Sequence, residues 1–171
     1  IKTLGSEINR VSPERIWSEL NLLLNTKKVS PSIQAMNDSG LLGNVFPDLY
    51  KNQKAPSALR ILDHLENLLS NPKQIGSKLF TEIKKVLLEK PQLIRLGSML
   101  YPATKKSSAK NISKYRKTNR KTKTGKILAR LRASNADIDF VSAMISCAHS
   151  VANTKLNCAE DHSSRLELYQ F

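Results

Sequence analysis

Apolar residues recur three and four positions apart along most of this 171-residue chain, and no segment alternates apolar and polar residues as a strand does. Proline, glycine and polar capping residues interrupt this pattern. Ser12-Pro13-Glu14 has the hydroxyl, proline and carboxylate typical of a helix start. Ser134 and Asp137, three positions later, form a capping-box pattern. The buried face of the helix that follows is predicted to hold Ile138, Val141, Ile145 and Ala148. The sequence therefore predicts an all-α fold, a helical array.

The start and stop signals divide the chain into short helices, one apolar connector and one long loop. Leu41 to Pro47 is predicted to be the connector, held in place by Val45 and Phe46. Periodicity fails from Ala103 to Thr124, where Lys, Ser, Thr and Asn dominate, so a long basic loop is predicted there. The predicted helices begin at Ser12, at Ser30, at Pro56 or Ser57, after Gly76, at Pro91, at Gly125 and at Ser134, and a last one holds Leu166, Tyr169 and Phe171.

Positive charge is concentrated in one part of the chain. The 28 basic and 14 acidic residues give a net charge of +14. No acidic residue lies between Glu89 and Asp137, and the basic residues found there account for the whole surplus. A local cationic segment of this kind indicates a polyanionic partner, either nucleic acid or a lipid surface. The alternative is a solvated loop that only keeps the protein in solution.

Nine basic residues in and after the predicted loop are the candidates for binding a nucleic acid. Tyr115 is the only aromatic residue among them, so stacking on several unpaired bases is not expected. Recognition by shape and charge suits the composition better. The candidates are Lys114, Arg116, Lys117, Arg120, Lys121, Lys123, Lys126, Arg130 and Arg132.

No motif for catalysis or metal binding stands out, and we predict neither a catalytic residue nor a metal site. Asp137 and Asp139 fall in the first turn of a predicted helix, where carboxylates interact favourably with the helix dipole. His64 is expected to be a packed residue with one hydrogen bond. Cys147 and His149 provide too few ligands for a tetrahedral metal site and are expected in the core. The two cysteines form no CxxC pair and are predicted to be reduced thiols, so we expect an intracellular protein. No apolar run is long enough for a membrane span, and no membrane is expected as a partner.

Two segments resemble the neck of tRNA nucleotidyltransferases (CCA-adding enzymes) and of bacterial and organellar poly(A) polymerases. The first is SPERIWSEL at residues 12–20. The second combines Gly40-Leu41-Leu42 with Phe46-Pro47-Asp48-Leu49. The resemblance implies a division into neck helices with their connector (1–50) and a helical body (51–171) related to HD domains, with the basic loop at about 103–124. It also implies that Glu14 and Arg15 have a structural role in the neck.

The body resembles the family's HD-type domain at Asp63-His64, at RLGSML (residues 95–100) and at ARLRASN (residues 129–135). One departure is decisive for its chemistry. Where the family has His-Asp-Ile-Gly-Lys, this chain has Tyr101-Pro102-Ala103-Thr104-Lys105. Tyrosine and proline cannot replace imidazole and carboxylate as metal ligands, so an HD phosphohydrolase site is expected to be inactive. His64 would then be a remnant of the family's metal site without a metal-binding role.

The family's catalytic head, with its metal-binding aspartates, precedes the neck, and the sequence contains no such region. We therefore expect the chain to be part of a longer protein whose head uses Mg²⁺ with ATP or CTP, while this part holds no cofactor. The implied partners are the head itself and tRNA or an RNA 3′ end, for which the nine basic residues named above are the candidate contacts. The implied location is the cytoplasm, a plastid or a mitochondrion. The alternatives are a noncatalytic helical adaptor for an acidic protein or anionic lipid, and a degenerate HD domain that binds a nucleotide.

Overall fold

The computed structural model describes residues 2–51, 53–70, 81, 89–104 and 121–161, and every regular element in these ranges is helical. The prediction of an all-α helical array is confirmed. Two 3₁₀ segments lie at Lys2–Arg10 and Tyr101–Ala103. The α-helices are α1 (Pro13–Leu24), α2 (Ser30–Asp38), α3 (Leu41–Val45), α4 (Pro47–Lys51), α5 (Ala55–Ser70), α6 (Pro91–Leu100), α7 (Lys123–Arg130) and α8 (Asn135–Asp161).

Local signals set the starts of α1 and α8 as predicted. The Ser12 hydroxyl accepts a hydrogen bond from the Arg15 amide at 3.3 Å, and Pro13 occupies the first helical position. At α8 the Asp137 amide donates to the Ser134 hydroxyl at 3.2 Å, and that hydroxyl lies 2.8 Å from the Asp137 carboxylate. Each cap satisfies an amide that has no carbonyl partner within its own helix.

The predicted connector from Leu41 to Pro47 is more regular than expected. It forms α3 and the start of α4, with Phe46 as the break between them. Gly40 precedes α3 with φ of 77°, in the left-handed region that glycine adopts at little cost. Val45 and Phe46 are buried as predicted. Buried apolar side chains thus hold both short helices against the core.

Two charged residues distant in sequence hold the turn between α1 and α2. Arg95 donates from Nη1 to the carbonyls of Leu24 and Thr26, both at 2.7 Å. Glu66 accepts the amides of Val29 at 2.6 Å and Ser30 at 3.2 Å, so it caps α2 from α5. Arg95 was predicted only as part of the cationic surplus, but it is 8% exposed and stabilises the fold.

One apolar core runs through the described helices, with α6 packed against α1, α5 and α8. The inward face of α8 carries Ile138, Val141 and Ile145, as predicted. Ala148, predicted to continue that face, is exposed, and His149 is buried in its place. This core includes Leu24 from the predicted neck as well as Leu62 and Ile145 from the predicted body. The division of the chain at residue 50 stays a prediction.

Two helix boundaries differ from those expected. Helix α5 begins at Ala55, one or two residues before the predicted start at Pro56 or Ser57, and α7 begins at Lys123, inside the predicted loop. The Thr122 hydroxyl accepts the Gly125 amide at 2.9 Å, and this cap starts α7 two residues before the glycine. The predicted helix after Gly76 lies almost entirely outside the described residues, and so does the last helix with Leu166.

Candidate nucleic-acid interface

Helix α7 presents three basic residues on one face. Lys123, Lys126 and Arg130 are three and four positions apart, so at 100° per residue they share an arc of about 60°. Leu128, which lies nearly opposite these three residues around α7, is buried. Lys126 and Arg130 are exposed, whereas Lys123, at the start of the helix, is half-buried. We call the three residues the basic face.

The structure describes five of the nine predicted RNA-binding residues. Lys121 and Lys126 are exposed, and Lys123 is half-buried at the start of α7. The other four, Lys114, Arg116, Lys117 and Arg120, lie outside the described residues. The described lysines thus lie within one short stretch at the start of α7.

The two remaining arginines contact the N-terminal part of the chain. Arg130 donates from Nη2 to the Val45 carbonyl at 3.0 Å, and its Nη1 lies 3.7 Å from the Asp48 carboxylate. Arg132 Nε lies 3.7 Å from a Glu14 carboxylate oxygen, with the two side chains 70% and 63% exposed. An ion pair between side chains as exposed to water as these contributes little to stability. Arg130, with its backbone contact, is therefore the firmer link between α7 and the segment around α3 and α4.

Glu14 and Arg15, predicted to be structural residues of the neck, occupy different surroundings. Glu14 contacts Arg132, as described above. Arg15 is exposed beside an apolar groove of about 520 Å³, which Ile16, Leu23 and Met36 line. Arg15 forms no ion pair with Glu19 within the described part of the chain, although the i, i+4 spacing would allow one.

Two expectations about the remaining reactive side chains were wrong. His64 and Cys147 were expected to be packed, but both are exposed. For Cys147 the cause is the helical period, since Ile145 and His149 take the inward positions on either side of it. Among the described residues no three His, Cys, Asp or Glu side chains converge in a way that could hold a metal ion.

His149 occupies a polar pocket in the core. It is 4% exposed, and its ring stacks on Tyr101 with 4.3 Å between centroids. The Thr104 hydroxyl donates to the Tyr101 carbonyl at 2.7 Å and lies 2.8 Å from His149 Nε2. Because a hydroxyl has one hydrogen, Nε2 must be the donor in the second contact, which fixes the imidazole tautomer.

A cavity of about 220 Å³ lies beside this histidine, at the start of α7. Sequence reasoning missed it, because its residues come from three separate stretches of chain. Beside Ile145 and His149, the described residues that line it are five with hydroxyl side chains and one lysine. They are Thr104, Thr122, Lys123, Thr124, Ser142 and Ser146.

Parts of the chain are similar to known proteins. Residues 1–52 match the family model described as "Probable RNA and SrmB- binding site of polymerase A". Two curated relatives, the CCA-adding enzymes of Coxiella burnetii strains RSA 331 / Henzerling II and RSA 493 / Nine Mile phase I, are each 36% identical over 56 residues. That match covers 33% of this chain and 15% of each relative. No solved structure matches the chain.

These two findings agree with the resemblance seen at residues 12–20 and 40–49, which is thereby confirmed. In the described part of the chain, no helix combines the length and the apolar character that crossing a bilayer would require.

Proposed function

We propose that this chain, as a relative of the tRNA nucleotidyltransferases and poly(A) polymerases, binds a structured RNA and positions its 3′ end for nucleotide addition. The addition itself would take place in a catalytic head outside the given sequence. We propose tRNA as the RNA, because the curated relatives are CCA-adding enzymes.

The observation that carries the proposal is a family match to a probable RNA-binding region in a chain with an acid-free basic segment. Lys121, Lys123 and Lys126 supply cations near the start of α7, where no neighbouring carboxylate in the sequence neutralises them. Lysines of this kind contact phosphates and fix the position of the RNA without reading its sequence. Arg130 and Arg132 would have a second role, because both also contact the N-terminal part of the chain.

The catalytic metal and nucleotide would belong to the head. Mg²⁺ would neutralise the triphosphate of ATP or CTP there during nucleotidyl transfer. The described residues of this chain would bind and orient RNA, and no catalytic step is assigned to them.

The number of phosphates contacted sets the salt dependence of binding. If Lys121, Lys123 and Lys126 each neutralise one phosphate, log K falls with log[salt] at a slope of about −2 to −3. Affinity would then drop roughly 20- to 40-fold between 50 and 200 mM salt on account of these three residues.

A pair of double variants tests this interface. Lys121→Glu with Lys126→Glu should weaken tRNA binding and reduce the steepness of the salt dependence by about 2. Lys54→Glu with Arg60→Glu makes the same change in net charge at exposed positions of another region and should leave binding nearly unchanged. Filter binding over a salt series measures both.

Equal effects of the two double variants would refute the assignment of the RNA surface to α7. Anionic vesicles provide the second comparison. Binding to vesicles but not to tRNA would favour the lipid-binding adaptor over the RNA-binding function.

A further inference from the structure

We propose that the cavity at the start of α7 binds one phosphate group. The cavity is bounded by Thr104, which follows the turn at Tyr101–Ala103, by the first turn of α7, and by α8. Its volume of about 220 Å³ is below the 300–1,000 Å³ of sites for whole drug-sized ligands, and so it suits a small ion or one end of a larger molecule.

The lining selects for an anion that accepts hydrogen bonds. Among the described residues that line the cavity, five carry hydroxyls, Lys123 is the cation and none is acidic, while Ile145 adds apolar surface. An ammonium group can donate three hydrogen bonds and a hydroxyl can donate one. Because the hydrogen of Thr104 is already donated to the Tyr101 carbonyl, Lys123 and Ser142 are the first candidates as donors to a ligand. Phosphate oxygens, which are acceptors with negative charge, match such a set of donors.

The backbone adds to the same preference. The amides of the first turn of α7 have no carbonyl of their own helix to donate to. Thr122 satisfies the amide of Gly125 at 2.9 Å, while Lys123 and Thr124, which contribute the two preceding amides, both line the cavity. A helix N-terminus of this kind favours negative charge through its dipole and its amides together.

Ser142 provides independent evidence that a ligand completes the site. Its side chain lines the cavity from α8 and is 3% exposed. Its hydroxyl has no hydrogen-bonding partner among the described residues. A buried hydroxyl without a partner costs free energy, and such groups in native proteins call for a reason. A phosphate oxygen in the cavity would supply the missing partner.

Thr104 and His149 make the adjoining wall rigid. The Thr104 hydroxyl is fixed between the Tyr101 carbonyl at 2.7 Å and His149 Nε2 at 2.8 Å. The stacking of the Tyr101 ring on the His149 ring further restrains the imidazole that contacts Thr104. A wall whose side chains already have their partners loses little conformational entropy when a ligand binds.

The first test uses inorganic phosphate and the full chain, with chloride at matched ionic strength as the reference. Phosphate at about ten times its Kd should raise the midpoint of thermal unfolding by about 3 °C. Lys123→Gln should raise the Kd about tenfold, because it removes a charged donor. Lys126→Gln makes the same charge change one turn further along α7, outside the cavity, and should keep the Kd within twofold.

Ser142→Ala separates a binding role from a structural one. Because its hydroxyl has no partner in the described structure, the variant should unfold at the same temperature as the parent chain without phosphate, or higher. With phosphate its Kd should be about tenfold higher. Phosphate that stabilises the chain no more than chloride, or parental phosphate affinity in both Ser142→Ala and Lys123→Gln, would overturn the proposal.

RNA oligonucleotides with and without a 5′-phosphate identify the source of the group. Competition between inorganic phosphate and either RNA supports an RNA phosphate as the ligand, and the difference between the two RNAs distinguishes a terminal from a backbone phosphate. Phosphate binding without competition supports a free phosphate or nucleotide.

The proposal stands apart from RNA binding. A chain that binds phosphate but no RNA refutes the proposed function alone. A chain that binds RNA while its phosphate affinity is insensitive to Ser142 and Lys123 refutes only the cavity.

Discussion

Replacing Arg95 with Met should destabilise the chain far more than the same replacement of any other arginine among the described residues. The side chain is 8% exposed, and its guanidinium donates to the carbonyls of Leu24, Thr26 and Lys27 at 2.7, 2.7 and 3.3 Å. Methionine keeps the apolar volume of the stem and removes all of these donors, so the variant isolates the polar contribution.

The magnitude follows from the two short contacts. Hydrogen bonds to a charged group are each worth about 1.5–3 kcal/mol, and loss of one partner from a buried ionic contact costs about 3–5 kcal/mol. Glu66, whose carboxylate lies 4.0 Å from Arg95 Nε, keeps two backbone amide donors and is not left without partners. We therefore expect the low end, a loss of about 3 kcal/mol, from a total of roughly 5–15 kcal/mol.

Urea denaturation followed by circular dichroism measures the loss. With an m-value of about 2 kcal/mol/M, the midpoint should fall by about 1.5 M. Arg10→Met is the matched control, because Arg10 also has a short carboxylate contact, 2.7 Å to Glu7, but is 82% exposed. Its midpoint should change by less than about 0.3 M. A loss below about 1 kcal/mol for Arg95→Met, or equal shifts for the two variants, would refute the argument from burial.

Two further predictions concern the segment from α2 to α4. Gly40→Ala should cost about 1 kcal/mol in urea denaturation, since φ is 77° and the added Cβ meets nothing within 4 Å, which leaves only the backbone penalty. Gly40→Asn should cost less, and equal stability of all three proteins would contradict this. Partial burial of Tyr50, and secondarily the negative charge of Asp38, raises the pKa of its phenol. Above about pH 10 the unfolded chain therefore loses this proton first, and stability should fall as pH rises. Tyr50→Phe should lack this part of the decline, and identical alkaline profiles would exclude the effect.

Helix placement was predictable where local chemistry decides it. Ser12 and Ser134 cap helices because a hydroxyl at that position satisfies an amide only a few residues away. The inward face of α8 followed from the spacing of Ile138, Val141 and Ile145. The resemblance of residues 12–20 and 40–49 to a known family was equally readable, because it depends on residue order alone.

The destination of charged and polar residues was not predictable from the sequence. Arg95 and Lys126 both belong to the acid-free basic stretch, yet Arg95 is buried and Lys126 is exposed. What separates them is the position of two backbone carbonyls, Leu24 at the end of α1 and Thr26 in the turn that follows, 71 and 69 residues away along the chain. Only the packing of the helices brings these carbonyls to Arg95.

Periodicity and caps determined the elements of this protein, because both act over a single helical turn. The tertiary structure alone decided that His149 is buried beside Thr104, that His64 is exposed, and that hydroxyls from three stretches of chain surround one cavity. The reason is physical: a side chain's solvation and partners depend on which helices pack around it, and the spacing of residues along one helix does not encode that packing.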